Sequence, residues 1–204
     1  MDTRIRDLLR QIGTLEDELR TELHERQSQV HFTLKGKRIE FERGVRRAHR
    51  QLKRGVVRWL ADRPQNLLTG PVIYALGIPL ILLDICVTFY QASCFPIYGI
   101  AKVPRRDYIV FDRHHLGYLN AFERFHCEYC AYANGLLAYA TEITARTEQY
   151  FCPIKHARKV LGTHARYQRF LEYGDATEYH AKLEAFRVAS ADEPHGKHPA
   201  PGKR

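Results

Sequence analysis

With 204 residues, 45% of them apolar, and a net charge of +9 from 32 Lys+Arg against 23 Asp+Glu, the chain has the size of one or two domains. The positive balance favours an anionic partner, phospholipid headgroups or nucleic acid. Five cysteines, an odd number with Cys86 and Cys94 inside a long apolar block, exclude a secreted disulfide framework, and the charged stretch Met1–Arg10 predicts no cleavable signal peptide.

Residues 1–28 carry Ile5, Leu8, Leu9, Ile12, Leu15, Leu19 and Leu23 in steps of three and four, the spacing of an amphipathic helix. About three heptads of this pattern are enough for a coiled-coil contact. Residues 5–23 would then bind a second copy or a partner helix, or else pack on the chain's own helices. Over 29–42, Val30, Phe32 and Leu34, then Ile39 and Phe41, alternate with polar residues around Lys35-Gly36-Lys37, which predicts a short β-hairpin.

Residues 43–65 form a basic amphipathic helix. Val45, Ala48, Leu52, Val56, Trp59 and Leu60 fall on one side, and Arg43, Arg46, Arg47, Arg50, Lys53, Arg54 and Arg58 on the other. Such a helix with Trp59 near its end suits an anionic membrane interface, each cation adding about 1 kcal/mol near the surface. Phosphates of a nucleic acid are the alternative for 43–58. The apolar stretch that follows favours the membrane.

Between 66 and 100 the only charge is Asp84. A spanning helix needs about 20 apolar residues, and Pro71–Gln91 would serve. Pro71, Pro79 and Pro96 punctuate the run, and a charge at mid-bilayer costs roughly 2.5–3.5 kcal/mol on insertion scales. The segment is therefore read as a re-entrant hairpin or one kinked transmembrane span. Eleven Lys/Arg over 35–63, further cations after 101 and free thiols favour the re-entrant form with both ends cytoplasmic.

Residues 101–187 are expected to form a small helical Cys/His domain. It would hold a short strand at Tyr108–Phe111, a helix from Arg113 towards Cys127, a turn at Asn134-Gly135 and a helix over 136–150. Pro153 would open another helix, and a helical pair would run around Gly174. From Val188 to 204 the composition predicts a disordered tail.

The chemistry-bearing stretch is C-E-Y-C, then twenty-one residues, then C-P-I-K-H. Cys127, Cys130, Cys152 and His156 make a complete Cys3His set for tetrahedral zinc, with an iron–sulfur cluster second because His ligation is unusual there. Arg146, Glu148 and Lys155 would stand around the ligands as hydrogen-bonding supports, or be a solvated face. The alternative is separate buried cysteines with a surface His. Geometry makes the metal reading testable. In one unbroken helix Cys127 and Cys152 would be about 37 Å apart at 1.5 Å per residue. The four meet only if Ala131–Leu136 is extended, spanning about 20 Å, and 137–149 returns as a helix. Four protein ligands leave no open position for water, so a non-enzymatic interaction or scaffold module is expected. A thiol-redox or metal-handling enzyme using Cys127, Cys130 and Cys152 is the alternative. Glu123-x-x-His126 matches half of a di-iron site but has no second copy.

The strings C-E-Y-C-A-Y-A-N-G and R-T-E-Q-Y-F-C-P-I-K-H-A, preceded by P-V-I-Y-A-L-G-I-P-L-I-L-L-D, resemble a family of uncharacterised bacterial proteins. That resemblance covers residues 66–160 and implies a bacterial source and membrane association, with no activity or cofactor. The resulting expectation is a mainly α, membrane-attached protein at the cytoplasmic face of a bacterial inner membrane.

Overall fold

The computed structural model describes residues 3–28, 32–35, 38–41, 43–53, 55–62 and 64–191. Among these the protein is mainly helical, and it divides into two compact units. One comprises Met1–Gly55 with His114–Asn120; the other comprises Val56–Arg113 with Ala121–Arg204.

In the first unit α1 (Thr3–Ser28) is the amphipathic helix expected from the leucine spacing. Leu8, Ile12, Leu15, Leu19 and Leu23 of its stripe are all exposed. Backbone pairing joins Phe32–Lys35 (β1) and Arg38–Phe41 (β2) antiparallel, with Phe32 opposite Phe41. Gly36 and Lys37, on which the expected turn rested, lie outside the described residues, and an independent β-hairpin is not supported. Helix α2 (Arg43–Leu52) ends before Gly55 and α3 (Val56–Asp62) follows, so the basic stretch is two short helices, not one. The ring of His49 on α2 lies edge-on to both Phe41 and Tyr118, with centroids 5.1 and 5.0 Å away.

The second unit is built on the apolar stretch. Helices α4 (Gln65–Ala75) and α5 (Gly77–Tyr98) are joined through Leu76, whose φ −61° and ψ −19° are helical. The chain does not double back here, which corrects the re-entrant hairpin: 65–98 is one interrupted helix, long and apolar enough to cross a membrane. Pro79 explains the interruption. It has no N–H for the carbonyl four residues earlier, and its ring crowds that carbonyl. Gly99 ends α5 in the left-handed region (φ 66°), with the N–H of Ile100 closing on Phe95 O at 2.9 Å.

Residues 100–109 then run back along α5. Gln91 Nε2 donates to Val103 O at 3.2 Å, and its Oε1 accepts from Val103 N. Arg105 Nε and Nη2 reach both oxygens of Asp84 at 3.1 and 2.6 Å. The strand expected at Tyr108–Phe111 is absent. A 3₁₀ turn at Arg105–Asp107 carries the chain into non-helical backbone, and the N–H groups of Tyr108 and Ile109 close on the Arg105 carbonyl instead of pairing with a second strand.

Helix α6 (Ala121–Phe151) is unbroken for 31 residues. It replaces the expected pair of helices and removes the turn at Asn134-Gly135. Gly135 serves a close approach instead: a Cβ there would lie 2.5 Å from Tyr108 O and 3.1 Å from Ile109 Cα. The contacts climb in step along α5 and α6. Tyr74 bonds His126, Gly77 faces Tyr129, Tyr132 bonds Asp84, Tyr139 bonds Gln91, and Tyr98 packs on Tyr150. The two helices are therefore parallel, and the return segment lies between them. Phe95, Leu136, Tyr139 and Ile143 are fully buried at this contact, with Ile100, Val103 and Ile109 from the return segment.

Beyond α6, Pro153 opens no helix. Leu171 N donates to Pro153 O, and Lys155 N to Leu171 O, both at 2.8 Å, forming a parallel bridge between Ile154 and Leu171. The helix expected around His164–Tyr173 is reduced to a 3₁₀ turn at Tyr167–Arg169. Helix α7 (Tyr179–Ala191) packs on α6 and includes Val188–Ala191, which had been assigned to the tail; 192–204 lie outside the described residues.

Gln91 is buried and pairs both backbone groups of Val103. Gln91→Leu leaves those two groups and the Tyr139 hydroxyl without their side-chain partner, each worth about 1–3 kcal/mol when buried. A loss of at least about 2 kcal/mol is expected in chemical denaturation, with Gln91→Glu as the isosteric comparison.

Candidate functional site

Cys127 and Cys130 sit one turn apart on α6 and are half-buried; Cys152 is exposed beyond the helix end. Because α6 is continuous, Cys152 stands about 37 Å from Cys127 at 1.5 Å per residue. His156 is also exposed, its N–H donating to the Tyr167 hydroxyl at 2.7 Å and its ring stacking on the same residue. The extended path through Ala131–Leu136 that a four-ligand zinc centre requires is not taken. Among the described residues no group of three or more His, Cys, Asp or Glu is placed to hold a metal ion. Cys127, Cys130, Cys152 and His156 therefore do not form one site within a single chain, and the same separation disposes of a four-ligand iron–sulfur cluster. For the redox reading, Cys127 would need to sit at a helix N-terminus, and it lies in the second turn of α6 instead.

The residues expected to support those ligands have other tasks. Arg146 Nε donates to Glu142 Oε1 at 2.8 Å, and its Nη1 donates to Ala101 O at 2.6 Å, holding the start of the return segment. Arg166 Nη2 meets the same Glu142 oxygen at 2.6 Å. Burial pushes the Glu142 carboxyl up, but the hydrogen bonds from Arg166 and Arg146 outweigh it and hold the group below its ordinary value. Burial raises the nearby Tyr108 hydroxyl, and the Glu142 charge adds to that effect. Glu148 pairs with His164 at 2.9 Å, and Lys155 with the largely exposed Glu172.

The motif R-T-E-Q-Y is thereby accounted for residue by residue. Arg146 holds the return segment and Thr147 bonds Tyr90 of α5. Glu148 holds His164, and Gln149 joins Ser190 of α7 to Arg166. Tyr150 lies under the Arg187 guanidinium at 5.2 Å. These are clamps between segments far apart in sequence, and spacing alone could not reveal them.

Asp84 is the residue whose partner the sequence left unnamed. Besides Arg105, it accepts from Tyr132 at 3.0 Å and from Thr88 at 3.3 Å. The charge in the apolar run is thus paired within the protein. An arginine a short distance beyond the run was the available signal.

Two surfaces stand out. Ile78, Ile81, Leu82, Ile85, Phe89 and Ile97 lie on the side of α5 opposite its packed residues and are between 54% and 76% exposed. Leu68 and Val72 of α4 are exposed as well. Only 6% of the most apolar window of this helix is buried, unlike the core helix of a soluble protein. The second is basic and lies in the first unit, where Arg46, Arg47, Arg50 and Lys53 are exposed; Arg58 of the second unit is exposed as well. Arg54 and the side chains of Arg43 and Trp59 lie outside the described residues.

Two hollows lie among the described residues of the second unit. One of about 450 Å³, lined by Leu60, Leu67, Pro71, Ile73 and Phe122, has Tyr74 and His126 at its wall, hydrogen-bonded to each other at 2.9 Å. The other lies beside Asp175, whose carboxyl is held at about 2, first by the Thr177 N–H and then by Lys182. Comparison with protein-family models, curated proteins and solved structures finds no match to this chain, and so lends no support to the resemblance drawn from the cysteine motif.

Proposed function

We propose that this protein is a membrane-associated, non-enzymatic interaction module. The carrying observation is the bare apolar side of α4–α5. Burying a large aliphatic or aromatic side chain is worth about 1.5–3 kcal/mol, so a face of this size calls for a nonaqueous partner. The exposed arginines of α2 and α3 favour anionic headgroups over a neutral surface, and the same cations would serve nucleic acid only if the apolar face were covered otherwise. The open leucine stripe of α1 supports a role in holding a second copy or a partner helix. Placement at the cytoplasmic leaflet follows from the basic flanks, and a bacterial inner membrane from the resemblance of the cysteine motif.

The test is flotation of the full chain with phosphatidylcholine vesicles, with and without phosphatidylglycerol. The protein is expected to float with both, and more strongly and salt-dependently with the anionic ones. The double variant Ile85→Ser with Phe89→Ser is expected to bind at least about tenfold more weakly, since two exposed apolar groups are lost. A well-folded protein that stays at the bottom of the gradient sinks the proposal.

A further inference from the structure

We infer that α4–α5 lies flat in one leaflet instead of crossing the bilayer, with its bare side in the acyl region and its packed side toward water. This rests on the membrane reading above and adds its geometry.

The first argument is length. The helix runs 34 residues, from Gln65 to Tyr98, about 51 Å at 1.5 Å per residue. Its exposed apolar residues extend from Leu67 to Ile97, nearly all of it. Hydrocarbon about 30 Å thick would enclose that length only at a tilt well beyond the usual 0–40°.

The second argument is what stands beside it. A spanning helix meets lipid or other apolar helices around its circumference, whereas one side of α5 carries charge and irregular backbone along its length. Glu123, Arg124 and Glu128 of α6 are level with Tyr74–Gly77, because His126 bonds Tyr74 and Tyr129 faces Gly77. At the middle, Arg105 is bound to Asp84 and its neighbour Arg106 has a side chain 89% exposed. Lys102 is exposed beside Val103, which is bound to Gln91. Any 20-residue window placed across a bilayer would take some of these charges to its depth. The non-helical backbone of residues 100–109 would go with the C-terminal windows, and a bilayer core tolerates such backbone only where protein buries it, whereas Lys102 and Arg105–Asp107 of this segment are exposed. Opposite them, the apolar face is uninterrupted by charge. A helix apolar on one side with polar groups on the other is an in-plane arrangement, and the exposed Arg58 of α3, just before it in the chain, suits an anionic surface. Both ends of the helix then remain on one side of the membrane without any hairpin.

The experiment is depth measurement along the helix. Leu68→Trp, Ile78→Trp, Ile85→Trp and Ile97→Trp, each in a Trp59→Phe background, are reconstituted with phosphatidylcholine–phosphatidylglycerol vesicles. The vesicles contain lipids brominated either near the headgroup or near the chain end. All four positions are already exposed, and circular dichroism with flotation confirms that each variant is folded and bound. An in-plane helix gives preferential quenching by the shallow bromines at all four positions, with efficiencies within roughly twofold of one another. Bound protein with deep quenching at Ile78 or Ile85 and shallow quenching at Leu68 and Ile97 overturns the inference and leaves membrane association standing. Folded protein that neither floats nor is quenched anywhere overturns both.

Discussion

Glu142→Ala is expected to destabilise the protein by about 3–5 kcal/mol, because it removes the one carboxylate that two largely buried guanidinium groups share, leaving them neutral acceptors such as Ala101 O and Gln149 Oε1. The side chains of Arg146 and Arg166 are 10% and 14% exposed, and both converge on one oxygen of Glu142. Glu142→Gln keeps the shape and one acceptor but removes the charge, and should recover part of the loss. Thermal or chemical unfolding of the vesicle- or micelle-bound protein reads both variants. The pH dependence has a definite sign. The folded carboxyl lies below its ordinary value of 4.5, so its stabilisation is fully present above about 4.5 and is lost as pH falls through the lower, folded value. Glu142→Ala should abolish that part of the acid sensitivity. A variant as stable as the parent, with the same acid limb, would mean the cluster is not holding α6 to the return segment.

Gly135→Val is the second large effect. The first carbon added at this position meets backbone, the Tyr108 carbonyl at 2.5 Å and Ile109 Cα at 3.1 Å, and backbone cannot rotate out of the way. The return segment must move off α6, with an overpacking cost of about 1–3 kcal/mol, and Val103 and Arg105 are strained with it. Gly13→Ala on α1 is the control. Nothing lies within 4 Å of that position, and relief of glycine's helix penalty should stabilise α1 by about 0.5–1 kcal/mol. Gly135→Val indistinguishable from the parent in hydrogen exchange over residues 100–109 would contradict the close approach.

Gly135 also explains where sequence reasoning went astray. Asn134-Gly135 has the composition of a turn, and breaking the helix there was what allowed Cys152 to return to Cys127. Around it, however, A-Y-A-N-G-L-L-A-Y-A is rich in good helix formers, and burial of Leu136, Tyr139 and Ile143 outweighs a glycine penalty of about 1 kcal/mol. The absence of a side chain at Gly135 was a tertiary signal, set by Tyr108, 27 positions upstream. Periodicity was reliable where one element decides its own form, as in the leucine stripe of α1 and the apolar run of α5. It failed where distant segments decide, as for the strand expected at Tyr108–Phe111 and the helix expected after Pro153. The cysteines illustrate the limit: ligand types and spacings were present, but only the path between them could say whether they meet.

The parallel arrangement of α5 and α6 also bears on synthesis. Their partners emerge in the same order but offset by about fifty residues, so α5 is complete long before the surface that covers its packed side. At ~5–20 residues per second that interval lasts roughly 3–10 s. Throughout it Leu80, Val87 and Phe95 are as bare as Ile85 and Phe89, whereas Arg105, only 21 residues after Asp84, is made well before α6. A nascent chain in this state shows apolar residues on both the bare and the packed side of a 22-residue helix and is open to aggregation. Early capture by a bilayer would shield one side while α6 is being made, and the other side would then close from the water.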